Sequence, residues 1–334
     1  LPQIKRLILK NNFSLAIKKG KITKRSLQTI YLKHTLRLAK QFFPIHKIDK
    51  RKVNARIVID TGNGMAGPLI KKIIPWLPVK ITLLFSRLDG RFPNHLPDPS
   101  VSKNLRFLRQ RVLFERAILG VAFDADADRV VFVDEEGIKI SNDLIIACLS
   151  ELFLNKYPRQ TIVYNLTCSR YLKEFIKHCG GRPAISRTGH TFIKQKMLAK
   201  RAIFGGEISG HFYYRDNAYA ENAYLTLCLF LEVLIRSGKT ASQFIAQYKK
   251  YYRLGEINFK VKDRDLILQR VSRRYKAGKI NHLDGLTVNF SDWWFNLRPS
   301  HTEPLLRLVV EAITPKLAEQ KLAEISKIIK KKKI

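Results

Sequence analysis

The sequence is poor in cysteine and in long apolar runs. Its four cysteines are Cys148, Cys168, Cys179 and Cys228. They form neither a Cys-x-x-Cys pair nor another metal-finger spacing, so we expect reduced thiols and a cytoplasmic location. No secretory signal is visible, and no uncharged apolar run reaches the roughly 20 residues that span a bilayer. The sequence therefore predicts no membrane partner.

Acidic residues are also scarce, since 27 Asp and Glu stand against 62 Lys and Arg and the formal net charge is +35. Such a surface attracts polyanions without specificity. The charge is compatible with nucleic acid, anionic membrane or phosphorylated small molecules as partners, and it does not distinguish between them. A general Lys/Arg bias explains it equally well. The apolar fraction of 46% is enough for the cores of two or three domains.

Alternating strand-like and helix-like segments predict an α/β protein. Residues 1–50 are basic and have helical periodicity. Strands are then predicted at 55–60, 79–85, 118–124 and 161–166, with helix-like segments between them, which is typical of parallel α/β units. Beyond Leu254 the alternation is less regular, and we expect a small α+β domain there.

Three carboxylates follow the strand that ends at Phe123. In DADADR, Asp124, Asp126 and Asp128 occupy alternate positions, which would place them on one side of an extended backbone. Hard oxygen ligands suit Mg²⁺, and Arg129 could pair with a phosphate drawn in by the metal. An EF-hand loop is disfavoured because Arg129 stands where that loop needs glycine and strands flank it. A solvated acidic turn is the remaining alternative.

Two further loops carry polar groups suited to a ligand. Glu207, Ser209 and His211 alternate in GGEISGH and offer an acceptor, a hydroxyl and an imidazole to a polar ligand such as a sugar. The glycines there could instead simply form a hairpin. In TGHTFIK, His190 follows a predicted strand-to-helix turn. A single histidine of this kind is more often structural than functional.

Two loops have a composition associated with phosphate. RPSHTEP, before the strand-like LLRLVVEA, combines a guanidinium, hydroxyls and turn backbone. Its candidate phosphate ligands are Arg298, Ser300, His301 and Thr302. GNGMAG at 62–67 satisfies the GxGxxG pattern after a strand. A tight strand-to-helix turn without nucleotide is the favoured interpretation there, because Pro68 follows directly.

In this order, the loops resemble those of the α-D-phosphohexomutase superfamily, specifically bacterial phosphomannomutase/phosphoglucomutase. DADADR is similar to the family's metal loop Asp-Gly-Asp-Gly/Ala-Asp-Arg, GEISGH to its sugar loop Gly-Glu-x-Ser-Gly-His, and RPSHTEP to its phosphate loop Arg-Pro-Ser-Gly-Thr-Glu-Pro. DTGNGMAG, DGRFPNHLPDP and TGHTFIK also look like family segments. The resemblance covers about residues 10–330.

The resemblance implies successive α/β domains with mixed sheets and a C-terminal α+β domain. The expected domains are a remnant of the phosphoserine domain I at 1–38, domain II with the metal loop at 39–138, domain III with the sugar loop at 139–252, and domain IV with the phosphate loop at 253–334. It also implies an intramolecular phosphotransferase that interconverts hexose 6-phosphate and hexose 1-phosphate, with mannose or glucose as the sugar, through an active-site phosphoserine.

The same resemblance implies a role for each loop. The metal loop would hold Mg²⁺ against the phosphoserine, and Arg129 and His190 would be the catalytic contacts. The sugar loop would bind the sugar hydroxyls, and the phosphate loop the non-reacting phosphate. The residues concerned are Asp124, Asp126 and Asp128 for the metal, Glu207, Ser209 and His211 for the sugar, and Arg298, Ser300, His301 and Thr302 for the phosphate.

The sequence also departs from the family pattern. It contains no Thr-x-Ser-His-Asn-Pro phosphoserine loop, so we expect the chain to begin after that loop and to be inactive alone. Thr167 stands where the family usually has lysine, and Glu221-Asn222 replaces the usual Asp-Gly. Ala125 and Ala127 replace glycines, which is tolerable where φ stays negative.

Three alternatives stay open. A separate polypeptide could carry the phosphoserine domain and assemble with this chain. The chain could also be a decaying or non-catalytic fragment that binds hexose phosphates, which Thr167 and Glu221-Asn222 mildly favour. A basic nucleic-acid-binding protein on an old mutase scaffold is a remote third alternative. The sequence has no motif for it, so no specific nucleic acid is expected.

Overall fold

A computed structural model describes residues 2–11, 13–14, 18, 20–43, 55–300 and 304–331. His301 and Thr302 of the predicted phosphate loop lie outside the described residues. Two amino-terminal helices are α1 (Pro2–Leu9) and α2 (Gln28–Lys40). The helical prediction is wrong for residues 20–27, which form no helix and are exposed to solvent. Of these two helices, only α2 packs against the rest of the described protein. Its Leu36 and Leu38 are buried.

The first sheet follows in the order β2-β1-β3-β4. Its strands are β1 (Arg56–Asp60), β2 (Lys80–Leu84), β3 (Leu119–Phe123) and β4 (Val130–Val133). The first three are parallel, and β4 is antiparallel to β3. Helices α3 (Ala66–Ile73) and α4 (Arg106–Glu115) cover opposite faces. Because both faces are covered, the middle of β1 (Ile57–Ile59) and all of β3 consist of apolar residues and glycine.

The second sheet has the order β6-β5-β7-β8-β9. Its strands are β5 (Thr161–Asn165), β6 (Arg182–Ser186), β7 (Phe204–Gly206), β8 (Phe212–Tyr214) and β9 (Ala220–Glu221). Strands β5, β6 and β7 are parallel, β8 is antiparallel to β7, and β9 is antiparallel to β8. The surrounding helices are α5 (Asn142–Lys156), α6 (Tyr171–His178), α7 (His190–Lys200), α8 (Ala223–Ser237) and α9 (Ala241–Ala246).

Helix α8 joins the first two sheets into one unit. Its sequence is apolar on nearly every side, as expected for a helix buried all round. Phe230 of α8 packs on Phe132 of β4, with ring centres 4.7 Å apart. The two sheets therefore share one continuous hydrophobic core.

The third sheet is antiparallel, with the order β10-β15-β14-β13-β12 and β11 also paired with β15. Its strands are β10 (Tyr252–Arg253), β11 (Ile257–Lys260), β12 (Lys279–Asn281), β13 (Leu286–Asn289), β14 (Trp293–Pro299) and β15 (Leu305–Ala312). Helices α10 (Arg264–Arg274) and α11 (Pro315–Lys330) pack on it around a separate core.

The architecture confirms the predicted fold class, with two α/β units on mixed sheets followed by an α+β unit. Among the described residues, no helix combines the length and apolar composition needed to cross a membrane.

Candidate active site

The metal loop, residues 124–129, connects β3 to β4 at the carboxyl end of the parallel strands. Ligand oxygens of Asp124, Asp126 and Asp128 lie within 4.8 Å of one another. The loop is a turn, so the extended backbone predicted for it is wrong. The condition of negative φ, under which alanine replaces glycine without strain, is not met at Ala127, whose φ is 64°. The turn, with an alanine in a conformation that glycine adopts more easily, brings the carboxylates together.

Arg129 is held between two carboxylates. Its Nε donates to Asp124 Oδ2 at 2.7 Å, and its backbone N–H donates to Asp124 Oδ1 at 3.0 Å. Its Nη1 donates to Asp98 Oδ1 at 3.2 Å, and the Ser100 hydroxyl fixes the same oxygen at 2.7 Å. The role of Asp98 was not predicted. Its position in DGRFPNHLPDP, a segment that resembles the family, is the signal that could have indicated it.

The GNGMAG turn supports the metal loop. The Met65 N–H donates to the Ala125 carbonyl at 2.8 Å. A Cβ added at Gly64 would lie 2.6 Å from that carbonyl oxygen, so only glycine fits there. At the start of the turn, His95 Nε2 lies 3.0 Å from Asp60 Oδ2. The segment is a tight strand-to-helix turn, as favoured from the sequence, and it positions the metal loop.

The sugar loop, residues 207–211, is the hairpin loop between β7 and β8 and touches the metal loop directly. Arg129 and His211 form an isolated antiparallel bridge. His211 Nε2 lies 3.5 Å from Asp128 Oδ2, and His211 Nδ1 lies 3.3 Å from Glu207 Oε2. Burial disfavours the charged imidazole, but the hydrogen bonds to Asp128 and Glu207 outweigh burial and raise the pKa of His211 to about 9. His211 is therefore cationic at neutral pH.

The two ends of the metal loop differ in pKa. Burial raises the pKa of Asp124 to about 6, in spite of its bonds to Arg129. The hydrogen bond from His211 lowers the pKa of Asp128 to about 2. A divalent cation would reduce the repulsion between these close carboxylates. It would also stabilise the charged form of Asp124, which burial disfavours. The donor set of three hard oxygens fits Mg²⁺.

Glu207 is buried, with 1% of its surface exposed. Its Oε1 accepts from the Gly189 N–H at 2.8 Å, and its Oε2 accepts from the Tyr213 hydroxyl at 2.6 Å. Burial favours the neutral acid, but the bonds from His211 and Tyr213 outweigh it and lower the pKa of Glu207. The partnership with Tyr213 was not predicted. Because protein donors already occupy this carboxylate, its contact with a sugar stays a prediction.

Ser209 and His190 lie beside His211. The Ser209 hydroxyl is 2.8 Å from His211 Nδ1. His190 is exposed at the first residue of α7, and its ring centre is 6.5 Å from that of His211. The structure thus brings the predicted sugar-binding and catalytic side chains to one edge. Their contacts with substrate stay predictions.

Arg298 and Ser300 are the described members of the predicted phosphate loop. Arg298 is 6% exposed, and its Nη2 donates to Glu256 Oε2 at 2.8 Å. The Ser300 N–H donates to the Leu305 carbonyl at 2.9 Å. An arriving phosphate would have to share the guanidinium with Glu256. The roles of Arg298 and Ser300 as phosphate ligands stay predictions.

Asp284, which was not predicted, connects the third sheet to the loop before His190. Its Oδ2 accepts from the Thr188 N–H at 3.1 Å. The next residue, Gly285, has a φ of 71°, and a Cβ added to it would lie 2.6 Å from the Cα of Arg298. Asp284 and Gly285 therefore link the loop before α7 to the strand that carries Arg298.

The positions that depart from the family pattern have internal partners. Thr167 is fully buried. Glu221 forms an ion pair of 2.7 Å with Lys194. Asn222 caps the start of α8 and donates to the Thr35 hydroxyl of α2 at 3.0 Å. These side chains contribute to packing between elements and present no cation to a ligand.

Three family models match the sequence in order. Residues 30–137 match "Phosphoglucomutase/phosphomannomutase, alpha/beta/alpha domain II". Residues 141–251 match alpha/beta/alpha domain III of the same family, and residues 256–328 match its C-terminal domain.

Similar proteins extend this result. A phosphomannomutase of Methanocaldococcus jannaschii is 37% identical over 276 residues, which are 83% of this chain and 62% of that protein. A phosphomannomutase of Vibrio cholerae is 35% identical over 99% of this chain and 72% of that protein. The solved structure of a phosphoglucomutase/phosphomannomutase family protein from Burkholderia thailandensis has a TM-score of 0.84 and 26% identity, covering 98% of this chain and 69% of that one.

The chain is thus shorter than these relatives, and it spans 62% of the length of the first. Its loops follow the order of the matched domains, with the metal loop in the first, the sugar loop in the second and the phosphate loop in the third. The chain belongs to the phosphoglucomutase/phosphomannomutase family of the α-D-phosphohexomutase superfamily.

Proposed function

We propose that this chain supplies the metal, sugar and phosphate loops of a phosphohexomutase that interconverts the 6-phosphate and 1-phosphate of mannose or glucose. The observation that carries the proposal is the contact of His211 with both Asp128 and Glu207, at 3.5 and 3.3 Å. A phosphoryl group at the metal loop would lie beside a sugar at the sugar loop. Such positioning is the main source of catalysis in phosphoryl transfer.

The metal loop would act on the transferring group. Asp124, Asp126 and Asp128 would hold Mg²⁺, which neutralises charge on a transferring phosphoryl group when bound. Arg129, fixed by Asp124 and Asp98, would donate to a phosphoryl oxygen.

The other loops would hold the substrate. Glu207, Ser209 and His211 would bind the sugar hydroxyls, and the imidazolium of His211 would donate to one of them. His190, beside His211, would contact the reacting oxygens. The non-reacting phosphate would bind at the phosphate loop, whose proposed ligands are Arg298, Ser300, His301 and Thr302.

We propose the domain boundaries predicted from the sequence. The three matched ranges support boundaries close to these. The proposed domains are the remnant of domain I at 1–38, domain II at 39–138, domain III at 139–252 and domain IV at 253–334. A cytoplasmic site of action is also proposed, since all four cysteines are free and three are buried.

The phosphoryl donor is proposed to be a phosphoserine outside residues 1–334, because these residues contain no Ser-His-Asn-Pro loop. A separate polypeptide carrying the phosphoserine domain is one source, and a longer form of this chain is the other. Either source would place the serine phosphate at the metal loop.

The test measures conversion of mannose 1-phosphate with Mg²⁺ by phosphorus NMR. We expect no turnover from the 334-residue chain alone and turnover after addition of a phosphoserine-domain polypeptide. In the mixture, Asp126→Asn should reduce the rate by about 100-fold or more, because it removes a metal ligand. Robust turnover by the chain alone would refute the external donor.

A second candidate function is hexose-phosphate binding without catalysis. The buried, uncharged Thr167, at a position where the family usually has lysine, favours it. Calorimetric titration with mannose 6-phosphate and Mg²⁺ separates the candidates. Binding without turnover in the mixture supports the second function. If neither binding nor turnover is observed, both candidate functions are contradicted.

A further inference from the structure

A cleft apart from the candidate active-site loops lies between the second and third sheets. Its volume is about 610 Å³, and it is bounded by β5, β6 and α6 on one side and by β12, β13 and β14 on the other. Among the described residues that line it, none is proposed above to bind metal, sugar or phosphate. Its size is that of a site for a small metabolite.

Unpaired cations surround the mouth of this cleft. Lys173 and Lys177 stand one turn apart on α6, and Lys279 lies on β12. All three are exposed. Their ammonium groups form no ion pair or hydrogen bond with the described residues, whereas the Lys279 backbone carbonyl accepts from the Asn289 side chain. Glu174 is the one acid among the described lining residues, and Lys250 already pairs with it at 2.5 Å. The cleft therefore attracts an anion.

Three hydroxyl side chains line the cleft, and those of Ser169 and Thr287 accept hydrogen bonds from Tyr171 and Asn296. The third, Tyr164, lies in the buried part of the lining, which we call the floor of the cleft. Tyr164 is 2% exposed, and its hydroxyl bonds to no described residue. Buried hydroxyls are nearly always hydrogen-bonded, so this one calls for an explanation. Burial raises the pKa of Tyr164 above its usual range, and the hydroxyl stays a donor. Leu166 and Ile185 supply apolar walls beside it.

We propose that this cleft binds a small phosphate monoester, with its phosphate at Lys173, Lys177 and Lys279 and an acceptor atom of its body at the Tyr164 hydroxyl. Lysine ammonium groups bind phosphate as point charges, and several around one mouth neutralise a dianion. The ligand would touch α6 and β12 together. It would thus restrain the unit that carries the sugar loop against the unit that carries the phosphate loop.

The test is calorimetric titration with 3-phosphoglycerate at constant ionic strength. 3-Phosphoglycerate has a phosphate for the three lysines and a carboxylate for the Tyr164 hydroxyl. It is not a hexose. Lys173→Ala/Lys177→Ala should raise Kd at least tenfold, and Tyr164→Phe about three- to tenfold. The phenylalanine variant removes a hydroxyl without a partner, so it should fold with unchanged stability.

The matched control is Lys196→Ala/Lys200→Ala. This pair has the same spacing and the same change of charge, on α7, which packs on the opposite face of the second sheet. Its Kd should change less than about twofold, because distant surface charges are screened. An equal loss in the control would overturn the proposal, since it would reveal attraction to the +35 chain as a whole.

Three other results would also overturn it. These are no binding to the unmodified protein at millimolar 3-phosphoglycerate, a Kd of Tyr164→Phe equal to that of the unmodified protein, or a Kd that responds to Arg298→Ala and not to the cleft variants. The last would place the probe at the candidate active site. Failure of the mutase assay leaves these readouts unaffected, so the two proposals are tested separately.

Discussion

Two neighbouring tyrosines of β8 have buried hydroxyls with different partners. The Tyr213 hydroxyl donates to the carboxylate of Glu207 at 2.6 Å. The Tyr214 hydroxyl bonds to the Thr226 hydroxyl at the same distance. Both side chains are almost fully buried. At the scale of the residue, Tyr213 therefore helps to keep a charged carboxylate inside the sugar loop.

Replacing each tyrosine by phenylalanine should reveal this difference. Tyr213→Phe should cost about 2 kcal/mol of the free energy of unfolding, because it removes a donor from a buried charge. Tyr214→Phe should cost about 1 kcal/mol, since both partners there are neutral. Urea denaturation of the two variants measures the difference. Equal costs would contradict a charged Glu207.

At the scale of the element, two helices end on left-handed residues of different type. Arg201 ends α7 with a φ of 48°, and its N–H donates to the Leu198 carbonyl. Gly238 ends α8 with a φ of 65°. Glycine adopts this conformation without steric cost, whereas arginine does not. The end of α7 is therefore strained relative to that of α8.

Arg201→Gly should stabilise the protein by roughly 0.5–1 kcal/mol. Arg201→Ala is the control, because alanine has the same steric conflict at positive φ. Thermal unfolding of both variants tests the point. A gain in the alanine variant as large as in the glycine variant would show that loss of the arginine charge is responsible.

The sequence predicted strands correctly where burial of both faces requires apolar residues. Strands β1, β3 and β5 were predicted because parallel strands covered on both faces need continuous apolar residues. The helical prediction for residues 20–27 failed because periodicity without a surface to bury against provides little stability. Ile22, for example, is 91% exposed.

At the scale of the whole molecule, Arg170 joins the second and third sheets. Its guanidinium donates to the carbonyls of Phe290 and Ser291 at 2.9 and 2.8 Å. Its backbone N–H donates to Glu311, which also accepts from Trp294 Nε1 at 2.7 Å. Removing the guanidinium leaves two carbonyls without their donor and should loosen the contact between the units.

Arg170→Ala should increase amide hydrogen exchange in α6 and β14 by roughly tenfold, with little change in the first sheet. Arg236→Ala is the matched control, since Arg236 pairs with Glu232 inside α8. Hydrogen–deuterium exchange followed by mass spectrometry gives the readout. Unchanged exchange in α6 and β14 would contradict the role of Arg170.

The amino-acid sequence by itself determined the α/β class and indicated the three carboxylates that the structure brings together, because these depend on local pattern and side-chain chemistry. Only the tertiary structure decided how Asp124, Asp126 and Asp128 converge, through a turn with Ala127 at positive φ. It also decided the partners that fix the site, such as Asp98 for Arg129 and Tyr213 for Glu207. Some of these contacts join residues far apart in the chain, and all of them depend on geometry that a linear pattern does not encode.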